Sequence, residues 1–303
     1  MKLGIALEGI RPAAELASIA AKIESLGFDS LWTPDHVAYT QPIADPFQVL
    51  SICAAATRRI TLGTAVYLLP LRHPAHVAKQ TASLDWLCGG RLVLGVGVGG
   101  EFPQEFAACE IPLAERGARA SEAMPIVRAL WRGADPPASR FFHVPSTRLV
   151  PASPRPAGPP IWVGGRSPAA LRRAAWLGDG YLGYFLDARG MHERAQTLRE
   201  LRAQAPDGER RGAALMIALQ TFIRVDEDEG RAVTRVAARL GEMYGAETQR
   251  AANRLTIAGN LEQCRRRLAE LAAAGVEHLV CSPVATPDDL DAQLERLARL
   301  RDE

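Results

Sequence analysis

Short runs of β-branched and aliphatic residues alternate with stretches in which apolar residues recur every three to four positions. These are the marks of buried strands and of amphipathic helices, respectively. The pattern predicts strands at 3–7, 29–33, 60–67, 91–98, 160–164, 180–184, 214–225 and 277–281. Between them it predicts helices at 13–26, 47–57, 74–87, 113–131, 168–177, 188–203, 227–244 and 261–274. Strand, helix, strand in steady alternation builds parallel strands joined by right-handed crossovers, and eight strands is the number that closes a (β/α)8 TIM barrel. The one irregular stretch, 133–160, is rich in proline and arginine and reads as an insertion between strands four and five rather than a linker. The expected architecture is therefore α/β, a single barrel domain over residues 1–303.

The chief competitor is an open doubly wound sheet, suggested by Gly95-Val96-Gly97-Val98-Gly99-Gly100 after a strand. A dinucleotide fingerprint opens directly into a helix in the first βαβ unit. This run is fourth, and it leads into Glu101-Phe102-Pro103, where proline cannot sit inside a helix.

Composition narrows the function. A formal charge of +2 with scattered basic residues leaves no face for nucleic acid. No apolar run reaches the ~20 residues that span a bilayer, and the N-terminus enters a strand-like run without a signal-peptide pattern, so membrane is not expected and cytoplasm is the default. Cys53, Cys88, Cys109, Cys264 and Cys281 are odd in number and widely spaced, which suits reduced thiols and neither a zinc site nor a disulfide framework. No metal is expected.

In a barrel, chemistry belongs to the loops that follow the strands. That places Glu8 and Gly9, Asp35 and His36, Arg72 and His73, the glycines with Glu101, and Gly164-Gly165-Arg166-Ser167-Pro168 at the active mouth. The last segment is the sharpest signal. Ser167 fits a helix N-cap and Pro168 the first helical position, and the glycines bring backbone amides close to a ligand, the makings of an anion site. A capped turn without a ligand is the alternative, and Arg166 argues against it. His36, beside Asp35, is the candidate acid or base, with the carboxylate expected to fix or charge the imidazole. Gly97, Val98 and Gly99 offer bare strand on which a flat ligand could lie, whereas Gly95 could equally serve interior packing. His73 and His76 read as cap or packing residues, and His143, His192 and His278 lie away from the mouth. The lysines are Lys2, Lys22 and Lys79, none of them at a strand end, which excludes a Schiff-base aldolase; a metal hydrolase and a GxSxG hydrolase lack their motifs.

Several modest motifs in order resemble the bacterial-luciferase-like family of flavin and deazaflavin oxidoreductases over almost the full length. They are Gly27-Phe28-Asp29-Ser30-Leu31-Trp32 with Asp35-His36, Leu62-Gly63-Thr64-Ala65-Val66 with Arg72-His73-Pro74, and Leu84-Asp85 with Gly89-Gly90-Arg91. Gly95 to Gly99 and Ile161-Trp162-Val163-Gly164-Gly165 with Gly178-Asp179-Gly180 complete the set. The resemblance implies a cofactor ring over the third strand at a non-prolyl cis peptide between Ala65 and Val66, and cofactor phosphate at Gly164 to Ser167. It implies either FMN, supplied reduced by a partner reductase for monooxygenase chemistry, or coenzyme F-420, which transfers hydride; Asp35-His36 resembles the deazaflavin branch. Gly100 stands where some deazaflavin dehydrogenases carry an acid, and Glu101 matches only if the loop shifts by one residue. A small organic substrate and a homodimer are further expectations, with a non-catalytic cofactor-binding member as the competing class. The loops at 37–46 and 133–160 would set the substrate.

Overall fold

The computed structural model describes residues 1–207 and 210–301. Eight parallel strands form a closed barrel: β1 (Lys2–Ala6), β2 (Ser30–Thr33), β3 (Thr61–Thr64), β4 (Leu92–Gly97), β5 (Ile161–Gly164), β6 (Gly180–Tyr184), β7 (Met216–Val225) and β8 (His278–Pro283). Each pairs with the next, and the ring shuts where β8 runs beside both β7, with His278 opposite Ala218, and β1, with Lys2 opposite His278. Closure removes the free edges that an open sheet would present, so the barrel expectation holds and the doubly wound alternative falls.

The barrel is filled by Ala6, Trp32, Ala65, Val93, Trp162, Leu182, Ala218 and Val280. The Trp32 and Trp162 rings, with centroids 4.9 Å apart, occupy most of the space that the alanines leave. Beneath them the Trp32 indole N–H donates to Ser30 Oγ at 2.6 Å, and Ser30 Oγ lies 2.6 Å from His278 Nε2. A larger apolar layer, from Leu16 and Ile23 round to Leu294 and Leu297, fastens the helices to the outside of the strands.

Three aspartates from the quoted motifs stitch the barrel floor. Asp29, Asp85 and Asp179 accept the backbone N–H of Leu3 (2.8 Å), Leu92 (3.1 Å) and Ile161 (2.8 Å), each at or next to the start of a neighbouring strand. Asp85 also takes Ser153 Oγ at 2.6 Å and the guanidinium of Arg155, which pins the excursion at 133–160 against the barrel; that segment has neither helix nor strand, as its composition predicts.

Several elements depart from the sequence expectation. Strand three, expected to run to residue 67, ends at Thr64; the Ala65–Val66 peptide is cis, and Tyr67–Leu68 then pairs briefly with β4. Helix α5 (Arg116–Arg132) begins three residues late, behind a 3-10 turn at Leu113–Glu115. Three helices were not foreseen: α4 (Pro103–Ala108), which Pro103 opens instead of interrupting, α9 (Ala246–Leu255), and α11 (Leu290–Ala298) after the last strand. Each is ten residues or shorter, too short for periodicity to stand out. A short strand, Ile257–Gly259, also prolongs the sheet beside the end of β7.

Candidate active site

A cavity of about 540 Å³ opens at the C-terminal end of the strands. Most of the residues placed at the mouth from sequence border it, among them Asp35, His36, Ala65, Val66, Gly97, Val98, Gly99, Gly164, Gly165, Arg166 and Ser167; Arg72 and Pro168 do not. Glu8, Gly9 and Glu101 border it too, while His73 caps α3 (Pro74–Leu87), its Nδ1 accepting from Ala75 N at 3.3 Å.

The turn after β5 forms as its residues dictate. Ser167 Oγ accepts from Ala170 N at 3.2 Å and caps α6 (Pro168–Leu177), with Pro168 in the first turn. Gly165 sits at φ +129°, where a Cβ would come within 2.7 Å of the Ala170 methyl, so glycine is the residue that both the dihedral and the space allow. Arg166 is exposed beside this turn and has no carboxylate partner among the described residues. Arg116, at the start of α5, adds a second guanidinium to the cavity wall, and its Nε is buried without a hydrogen-bond partner. Unsatisfied helix amides, one orphaned guanidinium nitrogen and one unpaired cation make a setting for an anion.

At Gly95 the glycine strand serves interior packing, one of its two expected roles, and Gly97 receives Val66. A Cβ at Gly95 would lie 1.9 Å from Thr64 O, and one at Gly97 would lie 2.3 Å from Val66 Cγ2. The bare face of β4 thus receives β3 as it leaves the sheet, and Val66, wedged between Gly97 and Gly164, offers the cavity an apolar seat.

Asp35 requires a correction. Its carboxylate does not serve His36: it is 2% exposed, forks onto the Arg72 guanidinium with Oδ1 2.7 Å from Nη2, and accepts Leu68 N at 2.8 Å. Arg72 in turn lies over the Tyr67 ring at 4.5 Å. Asp35 therefore holds the loop after the cis peptide in place, a positioning task, and its neighbourhood in sequence to His36 misled because adjacent residues at a strand end point to different sides.

The acid that faces His36 comes from α4. Glu105 Oε1 lies 3.1 Å from His36 Nδ1 and 2.7 Å from Val37 N, and Glu105 is 1% exposed. Tyr39 stacks on the imidazole with centroids 4.0 Å apart and planes 7° apart, and Phe102 meets it edge-on at 5.4 Å. His36 Nε2 makes no hydrogen bond to the described residues. Sequence reasoning missed Glu105 because α4 was not predicted; an acid on a short Pro-initiated helix after the glycine run was the available signal.

On the neighbouring strand, Glu8 at the end of β1 pairs with Arg239 of α8 (Glu229–Tyr244) at 3.1 Å. Burial pushes the Glu8 carboxyl up, and Arg239 pulls it back. The Tyr184 and Tyr244 hydroxyls meet at 2.8 Å, and burial raises both phenols. Among the described residues no cluster of three or more His, Cys, Asp or Glu is placed to hold a metal ion, and no helix is long and apolar enough to cross a membrane. Cys53, Cys88, Cys264 and Cys281 are buried and Cys109 half-buried, all free thiols away from the cavity.

The sequence profile of luciferase-like monooxygenases matches residues 3–301. An F-420-dependent glucose-6-phosphate dehydrogenase of Beutenbergia cavernae is 30% identical over 295 residues, covering 88% of this chain and 86% of that protein. An F-420-dependent secondary alcohol dehydrogenase, solved with an F-420–acetone adduct, superposes with a TM-score of 0.82 at 19% identity over 99% of this chain and 97% of that one. The oxygenating constituent of 3,6-diketocamphane monooxygenase from Pseudomonas putida, solved with FMN, superposes with a TM-score of 0.79 at 18% identity over 99% and 97%. With the closed barrel and the mouth cavity in place, the chain belongs to the luciferase-like monooxygenase family, which contains both F-420-dependent and FMN-dependent enzymes.

Proposed function

We propose that this protein is an oxidoreductase working with a flavin-type cofactor, with coenzyme F-420 favoured over FMN, and that His36 handles the proton of the reaction. The observation that carries the reading is the convergence on one cavity of an anion-accepting turn at Gly164 to Ser167 and an imidazole with one open nitrogen.

The residues present fit such a cofactor. Gly164, Gly165, Arg166 and Ser167 would hold its phosphate through backbone amides and a guanidinium, with Arg116 lending its orphaned Nε. Ala65 and Val66 would support the ring, with Gly97, Val98 and Gly99 as its border. When bound, a deazaflavin supplies or accepts hydride, and a reduced flavin activates oxygen.

The protein's own part is proton management. With the Nδ1 hydrogen of His36 directed at Glu105, the ring presents the lone pair of Nε2 to the cavity. A substrate hydroxyl placed there can pass its proton to Nε2 as its carbon loses hydride, and the charged ring can return it to a carbonyl in the reverse direction. Tyr39 and Phe102 hold the ring plane by stacking and edge contact. The 30% identity to an F-420-dependent dehydrogenase over 88% of this chain supports the deazaflavin reading.

Fluorescence titration of the purified protein with F-420 and with FMN tests this. F-420 is expected to bind at least about tenfold more tightly, a difference near 1.4 kcal/mol. Binding of FMN alone, with oxygen-consuming turnover after a separate reductase is added, would replace hydride transfer with monooxygenation. Binding of neither removes the enzymatic reading.

A further inference from the structure

In an eight-strand ring the first and fifth strands stand on opposite sides, so the mouth has a β5 side, with the anion-accepting turn, and a β1 side headed by Glu8. The β1 side carries its own chemistry. The guanidinium that lines the cavity here, Arg239, is already engaged by Glu8 at 3.1 Å and approached by Glu242 at 3.8 Å. The other guanidinia lining the cavity, Arg116 and Arg166, follow β4 and β5, and none of the three lysines lines it. Glu101 adds a second carboxylate to the same cavity: the next residue, Phe102, packs edge-on against Tyr39 at 4.8 Å, which brings the loop after β4 across the mouth towards this end. The rest of the wall at this end is uncharged, from Ile10, Gln41 and Ile43 to Met243.

We infer that the β1 side admits an uncharged organic substrate with an apolar, ring-sized body and a single hydroxyl or carbonyl that reaches His36, and turns away phosphorylated and carboxylated molecules. The inference rests on the cofactor reading above for the identity of this end as the substrate side. An anion entering there meets two carboxylates and a guanidinium whose charge is spent; losing its hydration shell then goes uncompensated. A cation finds Glu8 already taken by Arg239. A neutral ring meets Tyr39, Met243 and the Tyr184–Tyr244 pair, with edges that can hydrogen-bond without carrying charge.

The test uses the native protein loaded with whichever cofactor the titration shows to bind, and saturation-transfer NMR with four probes: cyclohexanol, cyclohexanecarboxylate, cyclohexylammonium and glucose 6-phosphate. Failure of both cofactors in the titration overturns the cofactor reading, before any probe is added. With cofactor bound, cyclohexanol is expected to give transfer and the two anions none; Glu8→Gln, which frees Arg239, is expected to admit glucose 6-phosphate with a gain of about tenfold or more. Should Glu8→Gln not fold, Glu101→Lys, a change at an exposed position, is expected to give a gain in the same direction. A charged probe binding the native protein more tightly than cyclohexanol overturns the inference, as does a folded charge variant that gains nothing for glucose 6-phosphate.

Discussion

Glu105 Oε1 lies 3.1 Å from His36 Nδ1 and at the same time accepts Val37 N at 2.7 Å, so one buried carboxylate fixes both the ring and the backbone of the loop that carries it. His36→Ala is therefore expected to lower turnover by about 10²- to 10⁴-fold, the range of general acid–base catalysis, while cofactor affinity changes little. Glu105→Gln, which keeps an acceptor but removes the charge, is expected to fall between native and His36→Ala. Steady-state rates beside cofactor titrations check both; equal rates for native and His36→Ala would take the imidazole out of the mechanism.

The turn after β5 gives a graded prediction. Ser167→Ala removes the cap bond to Ala170 N and is expected to cost about 1 kcal/mol of stability. Gly165→Ala forces a side chain onto φ +129° and against Ala170, and is expected to cost about 1–3 kcal/mol and weaken cofactor binding more than Ser167→Ala does. Urea melts and fluorescence titrations of the two variants would show whether that order holds.

Stability at mild acid should depend on His278. Burial first, with Lys2 adding and Asp29 opposing, holds its imidazole down to about 4 from the ordinary 6.5. Between those values the unfolded chain binds the proton and the folded protein does not. The contribution is thus complete above pH 6.5 and is lost as pH falls towards 4, on the order of 3 kcal/mol in all. Urea midpoints at pH 7 and pH 4.5 are expected to drop less for His278→Gln than for the native protein; parallel drops would place the acid sensitivity elsewhere.

Asp85 joins the start of β4 to the excursion at 133–160 through Leu92 N, Ser153 and Arg155. Removing a buried carboxylate with these partners, as in Asp85→Ala, is expected to cost on the order of 3 kcal/mol. It should also open the excursion to proteases. Limited proteolysis followed by mass spectrometry would locate new cuts, and a variant cut no faster than native would show that the excursion is held by other contacts.

How far the sequence could be read depended on whether a feature was local. Alternation of strand and helix signals needs only neighbours in sequence, so the eight strands, the Ser167-Pro168 helix start and the position of the mouth were legible. So was the cis peptide at Ala65–Val66, although through family resemblance and not through any local rule. The motif aspartates were legible as motif residues only: that Asp29, Asp85 and Asp179 bind strand amides at the floor emerges once strands distant in sequence lie side by side.

The amino-acid order by itself determined the succession of strands and helices, because periodicity and helix caps act within a few residues; the pairing of β8 with β1 then decided for a closed ring over an open sheet. Tertiary structure decided which charges meet. Asp35, next to His36 in the chain, goes to Arg72, and Glu105, sixty-nine residues from His36, takes the imidazole. Side chains pair through space, where direction at a strand end and the packing of a six-residue helix count for more than separation along the backbone.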